Sequence, residues 1–322
     1  MSSRPRRQLH VTSPRPDNVD ARHQPMGDFT PGDITSGFHV DLRGVAGSYG
    51  PPGEAEGWLD LLVLRRERIL PVTVLQLGMG AWQRSIDLSD PDRAAWSDVA
   101  QRVADWAAVD MDGYGRFAHL TPMPHTYDIP APWFSAMAQA LATSLLVRVP
   151  GHFDDAARAA QSLLDPSLDM ITDTEHGPIL EEYQASPRPH VLNGWMWGLY
   201  GLYDLAHADG ADPGLRERAR AAYEAGVASL VTHLPAYETQ RGWSTYDRYP
   251  HVIANIASPF YHRLHVSMLR TIARIAPQTV QAASLEATAG RWEQALSRPL
   301  TRVTAVARKV GFRLVKPRGK AA

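Results

Sequence analysis

Two stretches of the 322-residue chain concentrate side chains able to move a proton or grip an anion. Residues 171–188 contain Glu181-Glu182-Tyr183, and residues 238–263 contain Tyr246, Arg248, Tyr261, His262 and Arg263. A carboxyl and a phenol can each take or deliver a proton, while guanidinium, imidazole and amide groups neutralise or hydrogen-bond negative charge. Both stretches are polar, aromatic and marked by Pro and Gly, the composition of loops that carry binding groups. Plainer readings stand beside these. An acidic pair is commonly a solvated surface feature, and an isolated tyrosine is commonly a half-buried rim aromatic. His262 and His265 have a metal-ligand spacing, but no acid follows at i+4 and no HExxH pattern occurs, so hydrogen bonding or capping is the better reading. Trp195, Trp197, Tyr200 and Tyr203 read first as core packing and second as a platform for a sugar. No Gly-rich phosphate loop, dinucleotide fingerprint or Gly-x-Ser-x-Gly turn is present, so no cofactor and no metal are expected.

The elements that must hold these loops are helices. Asp-Pro-Asp at 90–92 precedes Trp96, Val99, Val103 and Trp106, one apolar stripe with Asp90 as the expected N-cap and Pro91 in the first turn. Residues 132–149 are continuously apolar and predict a helix buried on most sides. Leu192, Trp195, Leu199, Leu202 and Ala206 predict a helix over 189–207. Asp212-Pro213 opens another over 213–234, and 258–275 and 279–297 give two more. Before them, Phe38, Val40 and Leu42 alternate, which predicts a small strand or hairpin at 36–50. A succession of helix pairs with buried inner members predicts an all-α fold, an (α/α) toroid of helix pairs, complete or partial, with a short N-terminal β element.

The length allows two domains or one large domain of this kind. With 44% hydrophobic residues, disorder of the whole chain is excluded, and no apolar run is long enough to span a bilayer. There are no cysteines, which excludes disulfides and thiolate chemistry. The net charge of −1 is unevenly spread. Residues 1–22 carry five arginines against two acids, 308–320 carry six basic groups and no acid, and the body between is formally −10. Residues 1–35 are therefore expected to be a disordered basic segment, 36–300 the helical domain, and 301–322 a basic tail. The tails are either solvated or a loose grip on an anionic surface such as lipid headgroups. The acidic body argues against nucleic acid. Without an apolar h-region in the first 25 residues, the expected location is cytoplasmic, with peripheral attachment to a membrane through the tails.

Several blocks together resemble the D-glucuronyl C5-epimerase family at its C-terminal catalytic domain. They are Glu181-Glu182-Tyr183, Ser186-Pro187, Val191-Leu192-Asn193-Gly194 and Gly201-Leu202-Tyr203-Asp204-Leu205, then Trp243-Ser244-Thr245-Tyr246-Asp247 and Ala257-Ser258-Pro259-Phe260-Tyr261-His262-Arg263-Leu264-His265. Pro132 to Gln139 is similar to that family's Trp-x-Ser-x-Met-Ala-Gln helix, and Pro71 to Gly80 is a weaker match in which Leu77 stands where a tyrosine is usual. The resemblance implies a toroid and inversion of C5 in glucuronic acid units of an acidic polysaccharide without a cofactor. It implies catalytic roles for Glu182, Tyr183 and Tyr261, and substrate binding by Tyr246, Asn193, Gln139, Gln76 and Trp133.

That chemistry removes a proton beside a carboxylate, builds an enediolate and returns a proton to the other face. It needs two proton-transfer groups and a counter-charge, for which Arg248, Arg263, Asn193 and His262 are the sequence's candidates. A polysaccharide lyase and a non-catalytic glycan-binding relative are the alternatives. A glycoside hydrolase would need a second carboxyl opposite Glu182, from Asp247 or Asp128. A homodimer is a further expectation.

Overall fold

The computed structural model describes residues 24–123 and 126–317. Eleven helices lie among them. They are α1 (Arg43–Gly47), α2 (Pro52–Leu64), α3 (Pro71–Ile86), α4 (Arg93–Asp110), α5 (Ala136–Leu146), α6 (Phe153–Leu164), α7 (Leu192–Ala206), α8 (Pro213–His233), α9 (Pro259–Ile275), α10 (Thr279–Ser297) and α11 (Pro299–Val315). Two short strands, β1 (Ile171–Thr174) and β2 (Gly177–Leu180), form an antiparallel hairpin. None of these helices is long and apolar enough to cross a membrane.

The expected all-α fold with a short β element is what forms, and the periodic stretches become α5, α7, α8, α9 and α10. Every residue of α5 and of α7 is buried, as continuous apolar character requires. Asp212 caps α8 by accepting the Leu215 N–H at 2.9 Å, with Pro213 in the first turn. The expected cap of α4 is displaced. The helix starts at Arg93, and Asp90 instead accepts the Asp92 N–H at 3.0 Å and the Arg84 guanidinium at 2.8 Å.

Successive helices pair as α3–α4, α5–α6, α7–α8 and α9–α10, and the first members pack side by side as an inner layer, α3–α5–α7–α9. All four inner helices run the same way. Leu70 before α3, Trp133 before α5, and Ser258 and Tyr261 at the start of α9 line one cleft, and the start of α7 lies against Glu182. Residues 37–42 cross the opposite ends. His39 meets Asp204 of α7 at 2.8 Å, its carbonyl accepts from Thr271 of α9 at 3.2 Å, and Gly37 O accepts from Arg148 beyond α5 at 3.2 Å. Gln83 of α3 takes the Leu42 N–H at 2.8 Å. One end of the inner layer is thus sealed and the other is open.

Both expected tails need correction. Residues 1–23 lie outside the described residues, but 24–35 are packed rather than disordered. Phe29 and Ile34 are buried, Gly27 N–H bonds His39 O at 3.0 Å, and Gly32 N–H bonds the Tyr203 hydroxyl at 2.8 Å. Two buried apolar residues suffice to anchor a segment whose composition is otherwise loop-like. The pairing near 36–50 is a single bridge, Met26 to Val40, and the named strands fall instead at 171–180. Most of the expected tail at 301–322 is α11, seated by buried Thr301, Ala305 and Phe312.

Candidate active site

The open end of the inner layer holds a cleft of about 370 Å³. Its walls come from the 121–133 loop, the start of α9, the segment 246–258 and α11. Helix N-termini carry partial positive charge on unpaired N–H groups, and four of them face this end.

Glu182 follows β2 and lies against the first turn of α7. The Asn193 amide donates to Glu182 Oε2 at 3.1 Å, and the Gly194 N–H also points to the carboxyl. A Cβ on Gly194 would lie 2.3 Å from the Glu182 Cβ, so glycine is what allows this approach. Burial pushes the Glu182 carboxyl up to about 7. Hydrogen bonds from Tyr183 and Asn193 oppose the shift, and the Asp247 charge adds to it. Its neighbour Glu181 points the other way, as alternate residues of an extended segment do. That carboxyl is fully buried and takes hydrogen bonds from Thr172 at 2.7 Å and from the His190 N–H at 3.1 Å, and its Oε1 lies 2.6 Å from His190 Nδ1. It braces the loop, leaving Glu182 as the carboxyl toward the cleft.

From Glu182 a run of phenols leads across the site. Tyr183 lies within hydrogen-bonding reach of both Glu182 and Tyr246. The rings of Tyr246 and Tyr261 meet edge to face at 4.8 Å. Burial, reinforced by the Glu182 charge, holds Tyr183 and Tyr246 well above the ordinary tyrosine value, so both stay protonated near neutral pH. Trp133 lines the wall, 5.3 Å from Tyr183 between ring centres and stacked on His119 at 3.8 Å.

A second polar chain borders the first. Tyr127, on the 121–133 loop, donates to Asp247 Oδ2 at 2.5 Å, the Asn255 amide donates to the same oxygen at 2.5 Å, and the Lys309 ammonium donates to Asn255 Oδ1 at 2.6 Å. Lys309 sits 5.5 Å from the Tyr246 ring centre, and Arg313, one turn further along α11, also lines the cleft.

Glu182, Tyr183, Asn193, Tyr246, Tyr261 and Trp133 therefore converge, and five other expected site residues are placed elsewhere. The Arg248 guanidinium turns to the Ala236 carbonyl. Arg263 is exposed on α9 beside Phe260 and Glu293, in a separate hollow. His262 accepts the Ser244 N–H at Nδ1, 3.1 Å, and meets the Trp292 carbonyl at Nε2, 2.9 Å. Burial pulls its pKa down to about 4, so it is a neutral packing residue stacked on Trp243. Gln139 takes the Phe117 N–H at 3.0 Å and donates to Gly115 O and Ala159 O at 2.7 and 2.8 Å, which uses it in holding loops. Gln76 is half-buried on α3 outside the cleft, and Leu77 is in the core. Conversely, Tyr127, Asn255, Lys309 and Arg313 line the cleft without having been singled out. Their signal is weak: an unremarkable loop tyrosine and asparagine, and two charges in what reads as a tail.

The family model described as D-glucuronyl C5-epimerase C-terminus matches residues 111–294. A D-glucuronyl C5-epimerase of Caenorhabditis elegans is 36% identical over 183 residues, covering 51% of this chain and 29% of that protein. The chain thus corresponds to less than a third of that relative's length.

Proposed function

Because the chain belongs to the D-glucuronyl C5-epimerase family through the C-terminal region that the family model covers, we propose that it inverts C5 of glucuronic acid units in an acidic glycan, with Glu182 and Tyr261 as the two proton-transfer groups and no cofactor. The observation that carries this reading is the buried Glu182 carboxyl, joined through Tyr183 and Tyr246 to Tyr261 at one cleft.

C5 of a uronate is a weak carbon acid, and its proton is best removed by a base whose pKa lies near the working pH. A carboxyl raised to about 7 meets that need, where an ordinary one near 4.5 would be too weak a base. Abstraction moves charge from Glu182 into the substrate carboxyl, which becomes an enediolate. Tyr183, protonated and beside Glu182, holds the carboxyl in place and stays paired with it before and after it takes the proton. Tyr261 delivers a proton to the opposite face, with the Tyr246 ring packed edge-on against it. The four helix N-termini favour the growing negative charge without reorganising.

Incubation with a glucuronic acid polymer in deuterated water tests the reaction type. Epimerisation replaces the C5 hydrogen with deuterium and yields iduronic acid units, read by NMR. An unsaturated, ultraviolet-absorbing uronate would mean a lyase, new reducing ends without exchange would mean a hydrolase, and none of these would mean a binding protein.

The basic ends belong to the same reading as contacts with an anionic bilayer. α11 exposes Leu300, Val303, Val310 and Leu314 at helical spacing, with exposed Arg302 and Arg308 on the same helix, Lys316 just after it, and no acid. The full chain should sediment with vesicles containing anionic lipid and not with neutral ones. Failure to do so, or concentration-dependent dimers formed through this stripe, would remove the bilayer.

A further inference from the structure

We propose that Lys309 and Arg313 of α11 bind the carboxylate of the uronate in the cleft, so that a helix beyond the family-matched region completes the site. The inference deepens the reading above and rests on it for the identity of the anion.

Charge placement carries the argument. Lys309 and Arg313 are the charged groups lining the cleft among the described residues, and both are cationic. The acids nearby are Glu182 at the back of the cleft and Asp247; both are buried, and Asp247 takes short hydrogen bonds from Tyr127 and Asn255. The cleft therefore offers an anionic sugar the two cations of α11. Lys309 is also held in place. Asn255 accepts from its ammonium at 2.6 Å, and Asn255 is fixed in turn by Asp247 at 2.5 Å. This chain directs the ammonium to the face of Tyr246, the ring in contact with both Tyr183 and Tyr261. The carboxylate of a uronate is bonded directly to the carbon that loses its proton. Whatever binds that carboxylate must therefore lie close to the proton-transfer groups, and Lys309 sits over Tyr246, the ring packed edge-on against Tyr261. Arg313 adds a planar pair of donors suited to a carboxylate.

The family model's match ends at residue 294 and α11 begins at Pro299, so this contribution comes from residues beyond the matched region. The arginines nearest in sequence to the tyrosines, Arg248 and Arg263, are turned elsewhere. During proton removal the substrate carboxyl gains a second charge, so a cation held beside it stabilises the transition state more than the bound substrate.

The test compares a glucuronic acid oligosaccharide with its carboxyl-reduced counterpart, on the full chain and on Lys309→Gln, Arg313→Gln and Lys309→Arg, by calorimetry and by C5 exchange. The wild type should prefer the acidic ligand. Each glutamine variant should lose roughly 10–100-fold in affinity for it, with binding of the reduced ligand unchanged. Exchange should fall by about 10²–10³-fold in kcat for Lys309→Gln, and Lys309→Arg should recover part of it. Equal loss of both ligands would reveal a structural role and overturn the proposal, as would unchanged binding and exchange in Lys309→Gln. If that variant fails to fold, the wild type still decides, since absence of preference for the acidic ligand overturns the carboxylate site. Lys309-dependent preference for the acidic ligand without any C5 exchange would sustain the site and remove the epimerase reading.

Discussion

Glu182 and Gly194 are in such close contact that the carboxyl-bearing side chain occupies the space where any other residue's Cβ would stand. A Cβ at 194 would come within 2.3 Å of the Glu182 Cβ and 2.5 Å of its Oε2. Gly194→Ala should therefore push Glu182 off the α7 N-terminus while adding one methyl to a helix. Overpacking of this kind costs about 1–3 kcal/mol, and displacing the proposed base should lower C5 exchange by about 10²-fold. Thermal melting and deuterium exchange on one sample check both. Wild-type exchange in a folded Gly194→Ala protein would mean that Glu182 need not sit where it does.

Glu182→Gln separates chemistry from stability. If Glu182 is the base proposed above, its loss should lower exchange by about 10²–10⁴-fold. Stability should move the other way. The folded carboxyl titrates at about 7 against 4.5 for an unperturbed one, so its favourable contribution is complete below 4.5 and is lost as pH rises to about 7. Above that pH, burying the charge costs roughly 3 kcal/mol, which glutamine avoids. Urea unfolding at pH 4.5 and pH 8 should show the variant gaining on the wild type as pH rises. In the wild type, exchange should rise with pH through about 7 as the carboxylate forms. A flat profile would point away from Glu182 as the base.

Tyr261→Phe removes one hydroxyl from a half-buried ring that keeps its contacts with Tyr246 and Phe260. The melting temperature should hardly change, and turnover should drop by about 10²–10⁴-fold. Should the variant keep exchanging C5 hydrogen without inverting it, Tyr261 is the group that serves the second face. Near-normal inversion would exclude it as acid or base.

The sequence made some of this legible and hid the rest for identifiable reasons. The inner helices α5 and α7 are apolar on every side, and Asp212-Pro213 states where α8 begins. The Glu182, Tyr183, Tyr246 and Tyr261 cluster was readable because whole blocks of residue types recur together. Side-chain direction was not. Arg263 is two residues from Tyr261, but two residues on a helix is about 200° of rotation, and it emerges on the outer surface. His262, about 100° round, is swallowed by Trp243 and Trp292. α11 was obscured because its charged residues are all basic and run on into Lys316, Arg318 and Lys320, so the segment read as a basic tail. The apolar positions that seat it, Ala305 and Phe312, are few. Residues 24–35 were obscured in the same way, by Pro, Gly and Asp around Phe29 and Ile34.

The sealed end of the inner layer gives the last prediction. Arg148 and Asp204 form a bidentate pair at 2.7 and 3.0 Å with both side chains buried, and His39 completes the group. Burial works against the Asp204 charge, but Arg148 and His39 together hold its carboxyl well below the usual carboxylate range. Asp204→Asn would leave the Arg148 guanidinium buried without its counter-charge, a change that costs about 3–5 kcal/mol. It would also weaken the grip on His39 and so on residues 37–42, which bridge all four inner helices. Because the depressed carboxyl contributes its stability above an unfolded value near 3.9 and loses it only as pH falls toward the lower folded value, the deficit should be full at pH 7 and shrink in strong acid. Urea unfolding from pH 3 to pH 7 measures this. A variant as stable as the wild type at pH 7 would show that the seal is held by packing of Phe38 and His39 against Trp197 and Tyr200 alone. In that case the open end and the sealed end would be energetically independent, and the catalytic variants above could be interpreted without reference to the N-terminal segment.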